Sequence, residues 1–177
     1  MRFFQSAVSI KLIVQESFMT LSCMSCAQAG TSCCKNYQVN LTTGDMHRIS
    51  EFLGHQDFST IEPPVLEDIE PKYDPDWLPL IVRPDGMVRV LKKDRERYCT
   101  MLTPTGCQLP YDRRPLICRL YPYTYTEKGI VGVDSACPIS KESDCQSVLD
   151  RLDMPLEKAK KCLALIYAEF KSETFEQ

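Results

Sequence analysis

Four thiols lie within twelve residues of this chain, in the stretch Cys23-Met24-Ser25-Cys26-Ala27-Gln28-Ala29-Gly30-Thr31-Ser32-Cys33-Cys34. The small residues at 30–32 favour a loop, and two cysteines separated by two residues can turn both sulfurs to one side of it. Thiolates arranged in this way bind zinc or iron. Side chains of adjacent residues usually diverge. We therefore expect Cys33 and Cys34 to serve two different metals, or one metal and a bridged cluster, with disulfides or buried thiols as the alternative.

The composition indicates one ordinary globular domain. A chain of 177 residues has room for one real core, and its 44% apolar and 25% charged residues are typical of such proteins. The net charge of -3 gives no electrostatic reason to bind nucleic acid or an anionic membrane. Ten cysteines are fewer than a disulfide-stapled scaffold of this size would carry, so we expect the thiols to have a chemical role.

The first eighteen residues form an N-terminal extension, ahead of a cysteine-cluster domain at 19–177. Their longest apolar run, at 10–14, is interrupted by Lys11 and is too broken for a signal peptide or a membrane span. Met19 is an alternative start to Met1. Because the cytoplasm keeps thiols reduced, we predict a cytoplasmic location.

The first half of the chain predicts short elements. Residues 37–41 alternate as a strand does, and Thr42 with Asp45 predicts a capping box that starts a helix ending at Gly54. The proline-rich segment 55–79 predicts an irregular excursion, anchored to the body by Trp77.

Further along the chain, residues 80–82 and 87–91 flank a Pro-Asp-Gly turn and predict a hairpin. A second thiol region then begins at Cys99. Pro115 and Pro122 enclose a short helical turn that presents Cys118, and residues 124–133 predict another hairpin.

The C-terminal residues predict a short helix around 148–152 and a longer one capped by Asp153, with Pro155 in its first turn. Cys162 lies on the apolar face of that helix, where we interpret it as a small buried hydrophobe, while the role of Cys145 stays open. Together these patterns predict an α+β fold: a small single domain of short strands, hairpins and C-terminal helices, organised around a Cys-ligated metal centre.

Two separated motifs in this chain agree in residue type and order with one family. The first is Cys-x2-Cys-x6-Cys-Cys at 23–34 followed by Val39-x-Leu41-Thr42-x2-Asp45-x2-Arg48-Ile49. The second is Cys99-x-Met101-Leu102 followed by Gly106-Cys107-x-Leu109-x-Tyr111-x2-Arg114-Pro115-x2-Cys118-Arg119-x-Tyr121-Pro122. Over about Cys23 to Pro138 the chain resembles the YkgJ-like cysteine-cluster proteins, described as zinc- or iron-chelating. Flagellin lysine N-methylases are similar to them. The usual family spacing is Cys-x2-Cys-x2-Cys-Cys, so the second gap is longer here.

The resemblance implies eight metal ligands, which are Cys23, Cys26, Cys33, Cys34, Cys99, Cys107, Cys118 and Cys137. Eight thiolates suit two four-coordinate sites, or a 4Fe-4S cluster with a second metal. Their negative charge calls for nearby cations, and Arg114 and Arg119 flank Cys118 as candidates for contacting the cofactor site. The alternative for both arginines is a surface ion pair with Asp112 or Glu127.

Three functions are compatible with these features. The first is a cytoplasmic protein holding an iron-sulfur cluster or zinc, with a protein partner or substrate left open. The second is a protein lysine N-methylase-like enzyme, which rests on the resemblance alone because the only glycine pair in a suitable setting, at 129–132, is a poor methyl-donor motif. The third is a thiol-disulfide oxidoreductase using Cys23 and Cys26, although no strong strand precedes Cys23.

Overall fold

The computed structural model describes residues 33–65, 74–151 and 153–173. The N-terminal extension, with Cys23 and Cys26, lies outside these ranges. Helices and short antiparallel strand pairs alternate along the chain, which confirms the predicted α+β class. The helices are α1 (Cys33–Asn36), α2 (Thr43–Leu53), α3 (Trp77–Ile81), α4 (Leu116–Leu120), α5 (Cys145–Arg151) and α6 (Leu156–Ser172). The strands are β1 (Ser59–Glu62), β2 (Val88–Leu91), β3 (Leu102–Thr103), β4 (Gly106–Cys107), β5 (Tyr123–Thr126) and β6 (Gly129–Val133).

Helix α2 begins and ends where the sequence indicates. The Thr42 side chain accepts a hydrogen bond from the backbone of Asp45, and the Asp45 side chain accepts one from the backbone of Thr42. Gly54 ends the helix in the left-handed conformation, with a φ of 74°. The predicted capping box and helix stop are therefore both confirmed.

The predicted hairpin of residues 80–82 with 87–91 is wrong in its first strand. Residues 80 and 81 belong to α3, and only Val82 forms a bridge with Val88 beside the turn. Strand β2 pairs instead with β1, from the segment predicted to be irregular, in the register Ser59 to Leu91. Residues 39–41 join the other edge of β2 through backbone hydrogen bonds and one bridge, from Asn40 to Val90. This edge pairing is what remains of the strand predicted at 37–41.

Other predicted elements are present. Hairpin β5–β6 covers the region expected at 124–133, and α4 lies between the two prolines. Trp77 makes edge-on contacts with the rings of Tyr125, Tyr167 and Phe170, at centroid distances of 5.4 to 5.8 Å, so its anchoring role is confirmed.

Asp153 does not cap α6. Pro155 occupies the cap position, and Asp153 adopts a positive φ of 56° in the preceding turn. The carboxylate of Asp153 pairs with Lys158 at 2.6 Å instead. Within the described ranges, every helix is too short or too polar to cross a membrane.

The buried apolar residues form two cores. The helical core joins α4, α5 and α6 to β2, and consists of Ile81, Val88, Val90, Leu116, Leu120, Tyr123, Leu149, Ala159, Cys162, Leu163, Ile166, Tyr167 and Phe170. The thiol-side core lies against α2 and consists of Val39, Leu41, Ile49, Phe58, Leu91, Cys99, Met101 and Leu109. Cys34, Cys107 and Cys118 pack against the thiol-side core, so this core bears on the predicted site.

Candidate metal centre

Four of the predicted ligands come together from four separate segments, and we call them the four-thiol group: Cys34, Cys99, Cys107 and Cys118. The backbone amide of Cys99 donates to the carbonyl of Cys34 at 2.8 Å, which ties the segment after β2 to α1. Cys107 faces Leu102 in the β3–β4 pair, and the Leu102 amide donates to the Cys99 carbonyl at 2.9 Å. Cys118, in the middle of α4, packs on the same apolar surface.

Burial raises the pKa of three of these thiols, Cys99, Cys107 and Cys118, and the charges of neighbouring thiols add to the effect. Burial raises the pKa of Cys118 well above its usual range, and the charges of Cys99, Cys34 and Cys107 raise it further. Burial also raises the pKa of Cys99 to about 12, helped by the charges of Cys34 and Cys107. Each of these four thiols thus acts on at least one of the others, and Cys34, Cys107 and Cys118 pack against the thiol-side core that contains Cys99. A cation binding there would displace thiol protons.

The four thiol side chains are not arranged as the ligands of a single metal ion. Across residues 33–65, 74–151 and 153–173, no set of three or more His, Cys, Asp or Glu side chains is arranged as a metal-ligand group. The chemistry of the donor set nevertheless fits zinc or iron, because both bind four thiolates.

Arg114 lies beside the four-thiol group. Its guanidinium hydrogen-bonds the side chain of Cys107, and its Nε donates to the Leu109 carbonyl at 3.0 Å. Burial raises the pKa of Cys107, while the charge and hydrogen bond of Arg114 act to lower it. Arg114 therefore favours the thiolate that a metal would need.

The two acids considered as surface partners of Arg114 pair with other basic residues. Among the described residues, Asp112 pairs with Arg113 at 3.4 Å and Glu127 pairs with Lys171. Arg114 thus lies beside Cys107, one of the predicted ligands. Its contact with a cofactor remains a prediction.

Arg119 points the other way. Its guanidinium carbon lies 5.5 Å from the centroid of the Tyr111 ring, and its charge acts on Cys162 and Glu169 of α6. Its buried Nε has no hydrogen-bond partner within the described part of the chain. Arg119 therefore faces α6, and a contact between Arg119 and a cofactor remains only a prediction.

Cys33 and Cys137 both lie near Tyr121. Burial raises the pKa of the Tyr121 hydroxyl, followed by the charges of Cys137, Asp134 and Cys33. The Tyr37 ring lies 6.0 Å from that of Tyr121, and the Tyr37 hydroxyl donates to Asp134 at 2.7 Å. The assignment of Cys33 and Cys34 to two different metals remains a prediction.

The last two cysteines belong to the other core. Cys162 is buried in α6, as predicted, and burial raises its pKa to about 11. Its thiol donates to the Leu116 carbonyl at 3.3 Å. Cys145 packs against the helical core as well. Both are free thiols that the structure places apart from the four-thiol group.

Sequence reasoning missed a buried charge cluster that joins α2 to α6. Arg48 bonds Asp45 and Glu169, and Asp45 has no exposed surface. The available signal was the spacing Thr42-x2-Asp45-x2-Arg48, which puts all three side chains on one face of the first helical turns.

A comparison with protein families gives one match. Residues 22–138 match the family model CxxCxxCC, described as a "putative zinc- or iron-chelating domain". Searches of curated proteins and of solved structures gave no match. The matched range contains all of the predicted ligands and ends before α5 and α6.

Proposed function

The chain belongs to the CxxCxxCC family of zinc- or iron-chelating domains, and from that premise we propose that it binds the metal through the four-thiol group. The observation that carries this proposal is the convergence of four cysteines from distant segments. Two of those segments are joined directly by the hydrogen bond from the Cys99 amide to the Cys34 carbonyl.

The donor set supports either zinc or a 4Fe-4S cluster. Four thiolates in tetrahedral array are the usual ligands of structural zinc and of such clusters, and a redox role would require iron. Cys33 and Cys137 would belong to a second site, for which Cys23 and Cys26 remain predicted ligands. We propose a cytoplasmic location for the protein, and a structural, storage or electron-transfer role for its metal.

No structural observation supports the methylase or the oxidoreductase alternative. The glycines at 129 and 132 lie in strand β6 of a hairpin, and a methyl-donor site would require them in a turn between strand and helix. The oxidoreductase alternative depends on Cys23 and Cys26, which lie outside the described residues. Metal binding is therefore the function that we carry forward.

The proposal is tested by measuring metal and acid-labile sulfide on protein purified without oxygen, together with its visible spectrum. We expect at least one zinc, or one iron-sulfur cluster, per chain. Zinc without colour would indicate a structural or chelating role, whereas iron with sulfide and broad visible absorption would indicate a cluster. A folded protein that retains neither metal, even after anaerobic reconstitution with each, would contradict the proposal.

Arg114→Gln is expected to weaken metal binding about tenfold, the lower end of the range for residues that support a ligand. The substitution removes the positive charge and the hydrogen bond that favour the Cys107 thiolate. Competition for zinc with a chromogenic chelator measures the change in affinity.

Arg113→Gln is the matched control, because the neighbouring arginine pairs with Glu51 at the surface at 2.5 Å. We expect its zinc affinity to equal that of the original protein. Equal affinities for the Arg113 and Arg114 variants would show that Arg114 does not act on the ligands.

A further inference from the structure

A cluster of charged and polar side chains, some fully and some partly buried, lies between α2 and α6. We call it the Asp45 cluster, and its members are Thr42, Asp45, Arg48 and Glu169. Both terminal nitrogens of Arg48 donate hydrogen bonds to the Glu169 carboxylate, at 2.7 and 3.0 Å. One of these nitrogens also donates to the Asp45 carboxylate, at 2.7 Å. The Thr42 hydroxyl also donates to Glu169. Every carboxylate of the cluster thus has several donors.

The Asp45 cluster reaches the start of α4. Oδ1 of Asp45 accepts a hydrogen bond from the Leu116 amide at 3.0 Å. Pro115, at the cap position, has no side-chain hydrogen bond to offer, so this amide is one of the donors that a helix start leaves without a partner. The Cys162 thiol of α6 contacts the Leu116 carbonyl from the other side. Because a thiol is only a weak donor, the Asp45 carboxylate provides the anchoring of Leu116.

Cys118 follows two residues after this anchored position. Helix α4 has only five residues, so its first residue sets the direction of the whole helix. The charge of Asp45 also acts on Cys118, which shows that the cluster and the thiol are close. An error in the placement of Leu116 would move the Cys118 sulfur relative to the other three.

Glu169 approaches the backbone of α2 closely. A Cβ added at Gly44 would meet the Glu169 carboxylate, which Arg48 and Thr42 hold in place. Only glycine at position 44 leaves the carboxylate this room. The contact between α2 and α6 is thus made by specific residues on both helices.

Burying charges is costly, and apolar residues would often serve stability equally well. A need to hold particular backbone groups in place explains such a cluster better than stability alone. We propose that Glu169 of α6, through Arg48 and Asp45, fixes the start of α4 and so positions Cys118 for the metal. The inference rests on the proposed metal site. If Glu169 acts in this way, metal affinity depends on helix α6, which lies outside the residues 22–138 that match the family.

The test compares zinc affinity in two variants of α6, Glu169→Gln and Glu157→Gln. Glu157 is exposed and pairs with Lys160 on the same helix, at 2.6 Å, so it serves as the matched control. We expect about a tenfold loss of affinity for Glu169→Gln and none for Glu157→Gln. Affinity is measured by chelator competition under conditions where circular dichroism shows each variant fully folded. Equal affinities would overturn the proposal.

A second comparison separates positioning from general destabilisation. In a Cys118→Ser background, Glu169→Gln should change zinc affinity less than about twofold, because effects that act through one residue are not additive. An undiminished effect would show that Glu169 acts elsewhere. If Glu169→Gln does not fold, Arg48→Lys takes its place, since lysine keeps the charge and loses the forked contact.

Hydrogen exchange of the Leu116 amide in the metal-free protein gives a reading independent of zinc. Exchange should accelerate in Glu169→Gln and stay unchanged in Glu157→Gln. Unchanged exchange in both would overturn the positioning of α4. Zinc binding by neither the original protein nor its variants, together with accelerated exchange, would instead reject the proposed metal site and leave the anchoring of Leu116 intact.

Discussion

Cys118→Ser is expected to lower metal affinity at least about a hundredfold, because it removes one ligand of the four-thiol group and not merely a supporting contact. At saturating metal, a hundredfold loss corresponds to about 2.7 kcal/mol less stabilisation of the folded protein. Metal content after gel filtration and the urea midpoint, each measured with and without added zinc, report the two effects. The increase in the urea midpoint on adding zinc should be much smaller in Cys118→Ser than in the original protein.

Cys162→Ala is the control for this experiment. Cys162 is also a buried thiol with a raised pKa, but it lies in the helical core and is not a proposed ligand. Its variant should retain the metal stoichiometry of the original protein while losing some stability through the smaller side chain. Metal loss in Cys162→Ala, or full metal content in Cys118→Ser, would show that the ligand assignment is wrong.

Asp45→Ala is expected to lower the free energy of unfolding by about 3 kcal/mol, even without metal. The substitution removes half of the capping box and leaves the buried Leu116 amide without an acceptor. A lost cap costs about 1 kcal/mol and an unsatisfied buried donor about 1 to 3 kcal/mol. Urea unfolding of the metal-free protein, followed by circular dichroism, measures the change.

Two comparisons make the Asp45 prediction specific. Glu51→Ala removes an exposed acid from the same helix, whose partner Arg113 is at the surface, and should change stability by less than about 0.5 kcal/mol. Asp45→Asn keeps one oxygen that can accept from Leu116 and should fall between the two. A loss below about 1 kcal/mol for Asp45→Ala would mean that the Leu116 amide finds another partner.

The parts of the fold that follow from local chemistry are predictable from the sequence. The α2 capping box depends on two residues three apart, and α4 depends on prolines at its two ends. The pairing of β1 with β2 could not be predicted in the same way. Ser59–Glu62 contains one large apolar residue, Ile61, and its partner strand lies almost thirty residues further along the chain. Strand preference is set largely by such distant neighbours.

The site shows the same division. Cysteine spacing identifies the thiols, but the contacts that bring Cys34, Cys99, Cys107 and Cys118 near one another join remote segments of the chain. Arg114 and Arg119 both flank Cys118 in the sequence, yet they face opposite sides. Arg119 follows Cys118 within α4, where successive side chains are turned by about 100° around the axis, while Arg114 precedes the helix.

The close approach of Glu169 to Gly44 also limits which substitutions these two positions accept. The group that excludes a side chain at position 44 comes from a different part of the chain, more than a hundred residues away. A larger residue at position 44 would require the Glu169 carboxylate to leave its contacts with Arg48 and Thr42. Shortening Glu169 would remove the exclusion, so changes at the two positions have to be designed together.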